Sequence, residues 1–322
     1  MQRPHKTRER RKTADLEDRQ PLKRIPLWLR ALAALPLPVL YFISGFFAWL
    51  AEHVVHHRRT LIDAQLRRCF PDKGQAWIDA TRRSFYRNFG DVTVEIIKAV
   101  SISEEEIRRR VRFVDAGPAR ATLDAGQSVL VVTSHNCNWE WILLALSIGM
   151  GHQLTVAYKP LVGSWGDRMF LTARSRFGAR MVPAGKLLLR VLRHRGQAQV
   201  VAMAADQNPG ASSGRYVTEF FGQETAFYLG PDAIARIGKM PVYYLAMRRV
   251  SRGHYTLTFE PLAAAGEELA EGMIIDRYSR HIEAITREQP ADWLWSYRRW
   301  KTPRQGTTGD EAAKAGLASG SG

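Results

Sequence analysis

The chain has 322 residues, with 47 Lys and Arg against 31 Asp and Glu, a formal net charge of +16. Hydrophobic residues make up 45% and charged residues 24%, which argues against wholesale disorder and against a polytopic membrane architecture. Two cysteines, Cys69 and Cys137, are too few for a disulfide framework. The basic balance points to an anionic partner: nucleic acid, an anionic membrane surface or an acidic carrier protein.

Residues 1–24 hold nine Lys and Arg against four acids with no apolar periodicity, the composition of a disordered basic arm. Residues 31–51 then run for 21 positions without a charge, about the length a bilayer-spanning helix needs. A membrane anchor is therefore predicted over residues 25–52. Pro36 and Pro38 would bend or break a helix there, so a kinked element in one leaflet is the alternative to a straight span. The run is longer than a signal-peptide core and lacks a small-x-small cleavage site, so it is expected to be retained. Basic residues flank it on both sides: the arm before it, and His53, His56, His57, Arg58 and Arg59 after it. Both flanks thus have cytoplasmic character, and Trp28 and Trp49 bracket the run as interface anchors do. A buried core helix is the bland account of the same segment.

From residue 60 to about 111 the pattern is helical and amphipathic. Ser103, followed by Glu104 to Glu106 and Arg108 to Arg110, predicts a capped helix with charges matched to its dipole; an ordinary solvated face explains those charges too. Beyond it, strands are predicted at 128–133, 153–158, 199–205, 242–247 and 255–259. Helices fill 139–149, 166–177, 186–193, 230–237 and 268–289. This alternation predicts an α/β fold over residues 53–304, with a mostly parallel central sheet flanked by helices and one late antiparallel strand. Residues 305–322, rich in Gly, Ala, Ser and Thr, are expected to be a disordered tail. There is no internal repeat, P-loop, GxGxxG, paired CxxC or GxSxG, so nucleotide enzymes, zinc fingers and ordinary serine hydrolases lose their usual sequence handle.

Reactive groups in open α/β sheets collect beyond the carboxyl ends of strands. Two strand ends stand out. After the apolar strand SVLVV comes Thr133-Ser134-His135-Asn136-Cys137-Asn138-Trp139-Glu140-Trp141, which places His135 at the strand end and Glu140 in the first turn of the next helix. A loop that folds back would let Glu140 fix the imidazole tautomer and leave the other nitrogen as general base. Such a spacing arises by chance about once among nine histidines and an ordinary acid frequency, so His135 is as readily a structural histidine. The second strand end, Asp206-Gln207-Asn208-Pro209, could hold the loops of a site or position a hydroxyl; equally, Asp206 could cap the turn before Pro209. The aromatic and basic stretch Trp293-Leu294-Trp295-Ser296-Tyr297-Arg298-Arg299-Trp300-Lys301 suits stacked nucleic-acid bases or a membrane interface. His53, His56 and His57 have helical spacing compatible with zinc but lack a nearby acidic ligand; a basic interfacial stripe is the better account. Cys137 beside His135 would need the imidazole aimed backwards to become a nucleophile.

Together these residues resemble the late acyltransferases of lipid A biosynthesis, a branch of the lysophospholipid acyltransferase superfamily. His135 and Glu140 match the superfamily's His-x4-Asp/Glu, and Asn138-Trp139-Glu140 repeats the branch's Asn-Trp-Glu. The resemblance continues through Cys69-Phe70-Pro71, residues 85–90, Tyr158-Lys159-Pro160, residues 174–178, Asp206-Gln207, Phe220-Phe221-Gly222 with Thr225, and Gln289-Pro290 with Trp293-Leu294-Trp295. It implies a glycerolipid acyltransferase-like fold and an inner-membrane enzyme facing the cytoplasm. The implied reaction moves a fatty acyl chain from acyl carrier protein to a hydroxyl of a lipid A precursor or related glycolipid, with no metal, no cofactor and no nucleic acid. It further implies that His135 deprotonates the acceptor while Glu140 orients it. Asn138, Lys159, Arg174, Asp206 and Gln207 become the implied substrate-binding set, with Lys159 and Arg174 as the cations for the oxyanion and Asp206 with Gln207 supporting the site. Two departures matter. Asn136-Cys137 stands where the branch has Phe/Tyr-Gly, and Lys159 stands where it has Arg, losing the bidentate fork. Relatives of this fold acylate other lipids too, including ornithine lipids and specialised glycolipids.

Overall fold

The computed structural model describes residues 25–160, 164–210 and 213–300. The arm over 1–24, the tail over 305–322 and Lys301 of the aromatic stretch lie outside them. Helices α1 (Leu27–Ala34) and α2 (Leu37–His53) lead into α3 (Arg59–Cys69), α4 (Gln75–Lys98) and α5 (Glu104–Arg110). The sheet region then runs β1 (Val111–Asp115), α6 (Gly117–Asp124), β2 (Val129–Thr133), α7 (Trp139–Gly149), β3 (Gln153–Tyr158), α8 (Ser164–Arg174), β4 (Arg180–Pro183), α9 (Ala184–Arg193) and β5 (Gln199–Ala204). It closes with β6 (Arg215–Glu219), β7 (Glu224–Tyr228), α10 (Gly230–Gly238), β8 (Val242–Ser251), β9 (His254–Ala263), α11 (Met273–Glu288) and a 3-10 turn over Pro290–Asp292.

The predicted α/β architecture is present. Seven strands form one sheet in the order β1-β9-β8-β2-β5-β3-β4. Pairing is parallel throughout except at β8–β9, so β9 and β1 run against the other five. The short edge strands β1 and β4 and the small β6–β7 hairpin escaped the sequence reading: their alternating or half-exposed pattern is weaker than the apolar runs of β2 and β5. Period-2 alternation divides the core. Leu130 and Val132 of β2 face a cluster with α3, α4, α9 and α11, whereas Val129 and Val131 face one with α6 and α7. The sheet is therefore the middle of three layers. Ser103 caps α5 as predicted, its hydroxyl accepting from the Glu106 N–H.

The predicted single anchor helix is instead a bent pair. Among the described residues no single helix is long and apolar enough to cross a membrane, and α1 and α2 meet at 103°. Proline chemistry explains the break. Leu35 before Pro36 is extended, with φ −54° and ψ 144°, and Pro38 sits in the first turn of α2, where a missing N–H costs nothing. Leu37, Leu40, Tyr41, Ser44 and Ala48 of α2 are buried, while Phe42, Phe46, Phe47 and Trp49 stay exposed. Close approach to α4 depends on Gly90, where an added Cβ would lie 3.2 Å from the Ser44 carbonyl oxygen and 3.3 Å from the Ala48 Cβ.

A buried carboxylate fastens this pair to the sheet. Glu95 of α4 is wholly inaccessible and accepts from Tyr41 Oη of α2 at 2.7 Å, Tyr255 Oη of β9 at 2.7 Å and Asn138 Nδ2 at 2.8 Å. Burial pushes its carboxyl above the usual range although all three donors pull it back. Removing the acceptor would strand three buried donors, each costing about 1–3 kcal/mol. Glu95→Ala is expected to destabilise the protein by about 3 kcal/mol or more, and Glu95→Gln by less, in denaturant titrations.

Candidate active site

Strand register brings the site together. β2 and β5 pair in parallel with Thr133 opposite Ala204, so His135 and Asp206, each two residues further on, leave the same end of the sheet side by side. The Asp206 carboxylate takes the His135 backbone N–H at 2.9 Å through Oδ2, and its Oδ1 lies 2.5 Å from Nδ1 of the imidazole. Trp293 Nε1 donates to the same Oδ2 at 3.3 Å. Asp206 is buried behind the ring, whose side chain remains 18% exposed. With a carboxylate on Nδ1, the proton of the neutral ring resides there and Nε2 presents its lone pair outward. Gln207 Nε2 stands 3.4 Å from it.

The electrostatics follow from this pairing. Burial pulls the His135 pKa down, but the charge and hydrogen bond of Asp206 outweigh it, with help from Glu140, and the net direction is up. Burial pushes Asp206 up, and His135 with the Trp293 indole brings it below the ordinary carboxylate range.

Glu140 does not hold the imidazole as expected. Asn138 turns the chain first: its side-chain oxygen accepts the Trp141 N–H at 3.0 Å and caps α7. In the first turn of that helix, Glu140 is gripped by the Arg174 guanidinium in a bidentate pair of 2.8 and 2.5 Å. The carboxylate still raises the imidazole through space. Burial lowers the Arg174 pKa and Glu140 more than restores it, so the cation is permanent.

A cleft of about 400 Å³ opens in front of these groups. His135, Glu140, Lys159, Arg174 and Gln207 reach it among apolar walls from Ile96, Trp139, Leu143, Leu146, Phe170 and Met181. Two members of the predicted substrate set are elsewhere. Asn138, wholly buried, is committed to the helix cap and to Glu95, and Asp206 stands behind the imidazole instead of facing the cleft. Lys159 is exposed at the rim. Cys137 is buried, its thiol donating to the Met247 carbonyl at 3.4 Å, and burial pushes it well up; a thiol so placed is no nucleophile. The zinc spacing of His53, His56 and His57 dissolves because α2 ends at His53. Among the described residues no group of three or more His, Cys, Asp or Glu is arranged to hold a metal ion.

Sequence reading missed Trp293 and Tyr278 as supports. Tyr278 Oη donates to the Thr133 carbonyl at 2.6 Å and accepts the Ala205 N–H at 3.1 Å, bridging the two strand ends. Nothing in a helical tyrosine signals that.

No individually curated protein matches the chain. The family model for bacterial lipid A biosynthesis acyltransferases matches residues 25–302, from the bent apolar pair through the Trp293 segment that braces Asp206. With a histidine, a fixed cation and an apolar cleft at its centre, the chain belongs to the bacterial lipid A biosynthesis acyltransferase family.

Proposed function

We propose that this enzyme moves a fatty acyl chain from the thioester of acyl carrier protein to a hydroxyl of a lipid A precursor or a closely related glycolipid, at the cytoplasmic face of the inner membrane. Family membership makes it an acyltransferase acting on lipid A-like substrates. The observation that carries the finer reading is the imidazole itself: Nδ1 is held by Asp206 and Nε2 faces an apolar cleft beside a permanent cation.

In this mechanism His135 Nε2 accepts the proton of the acceptor hydroxyl as its oxygen bonds to the thioester carbonyl carbon. The imidazolium so formed is stabilised by Asp206. Negative charge gathers on the former carbonyl oxygen, and Arg174, fixed by Glu140, offsets it; Lys159 at the rim is the second cation. Collapse breaks the C–S bond, and the leaving thiolate takes the proton from His135. Glu140 thus acts through Arg174, a different role from orienting the imidazole.

The acidic carrier and the phosphates of the acceptor both match the +16 net charge. An exposed row of Phe42, Phe46, Phe47 and Trp49 on α2 supports membrane association, with the bent pair lying in the interface.

His135→Ala is expected to lower kcat for acyl transfer about 10²- to 10⁴-fold with folding retained, assayed with acyl carrier protein thioester and a phosphorylated glucosamine lipid. Near-normal activity would remove the general base from the mechanism. Arg174→Lys is expected to lose about tenfold or more in kcat, because it keeps the charge and loses the fork that Glu140 holds. An unchanged kcat would show that charge alone suffices and that the fork plays no part; Arg174→Gln, which removes the charge, would then have to carry the loss if the oxyanion role is to stand.

The pH profile gives a separate check. A protonated imidazole cannot accept a proton, so kcat/KM should rise with pH through a limb above about 6.5, the ordinary imidazole value. Asp206→Asn removes the group that raises that pKa, and the limb should move to lower pH while the plateau falls. A limb that stays in place would separate Asp206 from the titration of the base.

A further inference from the structure

A second concavity lies on the α2–α4 side of the molecule. It encloses about 1090 Å³ and shares no lining residue with the cleft in front of His135. One lip is aromatic: Phe42, Phe46 and Trp49 of α2 are 82%, 58% and 53% exposed. The facing wall is cationic. Arg83 and Arg87 project from α4 one turn apart, both exposed, and neither carries an ion pair among the described residues; Arg87 donates only to Ser84 Oγ at 3.2 Å.

The carboxylates here are already engaged or turned in. Asp91 is clamped by Arg252 at 2.8 and 2.6 Å and takes the Ser44 hydroxyl at 2.7 Å. Glu52 is 12% exposed, 3.9 Å from His53 Nδ1. Arg249 on the same wall gives its Nε–H to Asp292 at 2.8 Å, while its Nη1 and Nη2 are buried with no hydrogen-bond partner. What remains is net positive potential beside exposed rings, a pairing that suits a molecule with an anionic head and an apolar tail.

From this we propose that the groove binds the phosphate of an anionic glycerophospholipid, with Arg83 and Arg87 sharing its oxygens and an acyl chain lying along Phe42, Phe46 and Trp49. It rests on the membrane-associated reading given above and adds a specific lipid site to it. The occupant is a bulk membrane lipid and not the acyl acceptor, because the groove and the catalytic cleft have no wall in common. A purely acidic protein surface would satisfy the arginines and leave the aromatic lip in water. The groove also backs onto the catalytic loop: Asn88, on its wall, donates to Asp292 Oδ1 at 3.0 Å, and the Asp292 carbonyl takes the Cys137 N–H at 2.9 Å.

The experiment is vesicle flotation of the full chain at 0.15 M salt, where charges beyond about 8 Å are screened. Phosphatidylcholine vesicles are compared with vesicles containing one-fifth phosphatidylglycerol. The wild type should prefer the anionic vesicles, and Arg83→Ala/Arg87→Ala should lose about tenfold or more of that preference. Arg193→Ala/Arg195→Ala, with the same change in charge on another surface, should lose about twofold or less. Phe42→Ala/Phe46→Ala should weaken binding to both vesicle types. Equal losses in the two arginine variants would reduce the effect to net charge and overturn the site while leaving membrane association intact. Failure of the wild type to float with any vesicle would overturn the membrane reading itself. Two further results would also overturn the assignment. One is saturable binding of inorganic phosphate that needs Arg83 and Arg87 without an anionic-lipid preference. The other is loss of carrier-protein binding in the arginine variant with flotation unchanged.

Discussion

The contact between Asp206 and His135 is the constraint on which the rest of the site depends. One carboxylate fixes the imidazole through its ring and its backbone at once, so both the tautomer and the position of the ring follow from the register of two neighbouring strands. A buried carboxylate in that position is costly unless its charge is answered. Here the answers are the imidazole, a backbone N–H and the Trp293 indole. That is why a segment more than eighty residues beyond Asp206 in the chain must pack against the mouth of the sheet: the 3-10 turn and the Trp293 loop close over the catalytic strand ends, with Asn136 bridging to Trp293 and the Cys137 N–H reaching Asp292. Glu95 plays the corresponding part on the other side, tying α2, α4, β9 and the Asn138 cap to a single buried acceptor.

Two carboxylate–cation pairs with different purposes result. In the Asp206–His135 pair the cation can lose its charge, and in the proposed mechanism its titration is the chemistry. In the Glu140–Arg174 pair the cation cannot, and its constancy is the value: a guanidinium held by two hydrogen bonds does not swing toward the base or out to solvent. With His135 and Arg174 on one cleft, each held by its own carboxylate, the proposed proton acceptor and the proposed oxyanion cation are fixed independently. A site that used Glu140 for both purposes would have to release one group to hold the other.

Much of the fold was legible in the sequence because β2, β3, β5, β8 and the helices between them are long, apolar and strongly periodic. α7 occupies the predicted 139–149. The edges were not legible. β1 and β4 bury too few side chains to show an alternation, and the anchor's bend is signalled by Pro36 and Pro38 without the angle being fixed. For the site, strand ends identified His135 and Asp206 as residues of interest, but motif spacing assigned the imidazole's partner wrongly. Five residues of sequence separation favoured Glu140, whereas the partner is 71 residues away. The register that makes Asp206 adjacent is a property of which strands are neighbours, and no local pattern carries strand order.

Cys137, where the resemblance leads one to expect glycine, adopts φ +50°, a left-handed conformation that costs a residue with a side chain roughly 1–2 kcal/mol. The backbone path expected of glycine is therefore kept, and the strain is offset by packing: the thiol is buried against the Met247 carbonyl. Asn136 is equally turned inward, its side-chain oxygen accepting the Ser134 hydroxyl at 2.7 Å, and Ser134 in turn meets the Tyr244 hydroxyl. Neither residue reaches the catalytic cleft. These two residues thus act on the support of the loop, and the cleft itself is lined by Lys159, Gln207 and the apolar walls. Under the proposed function, acceptor choice is accordingly to be sought at the rim, where Lys159 stands in place of the arginine that the resemblance leads one to expect, and not in the residues adjoining the histidine.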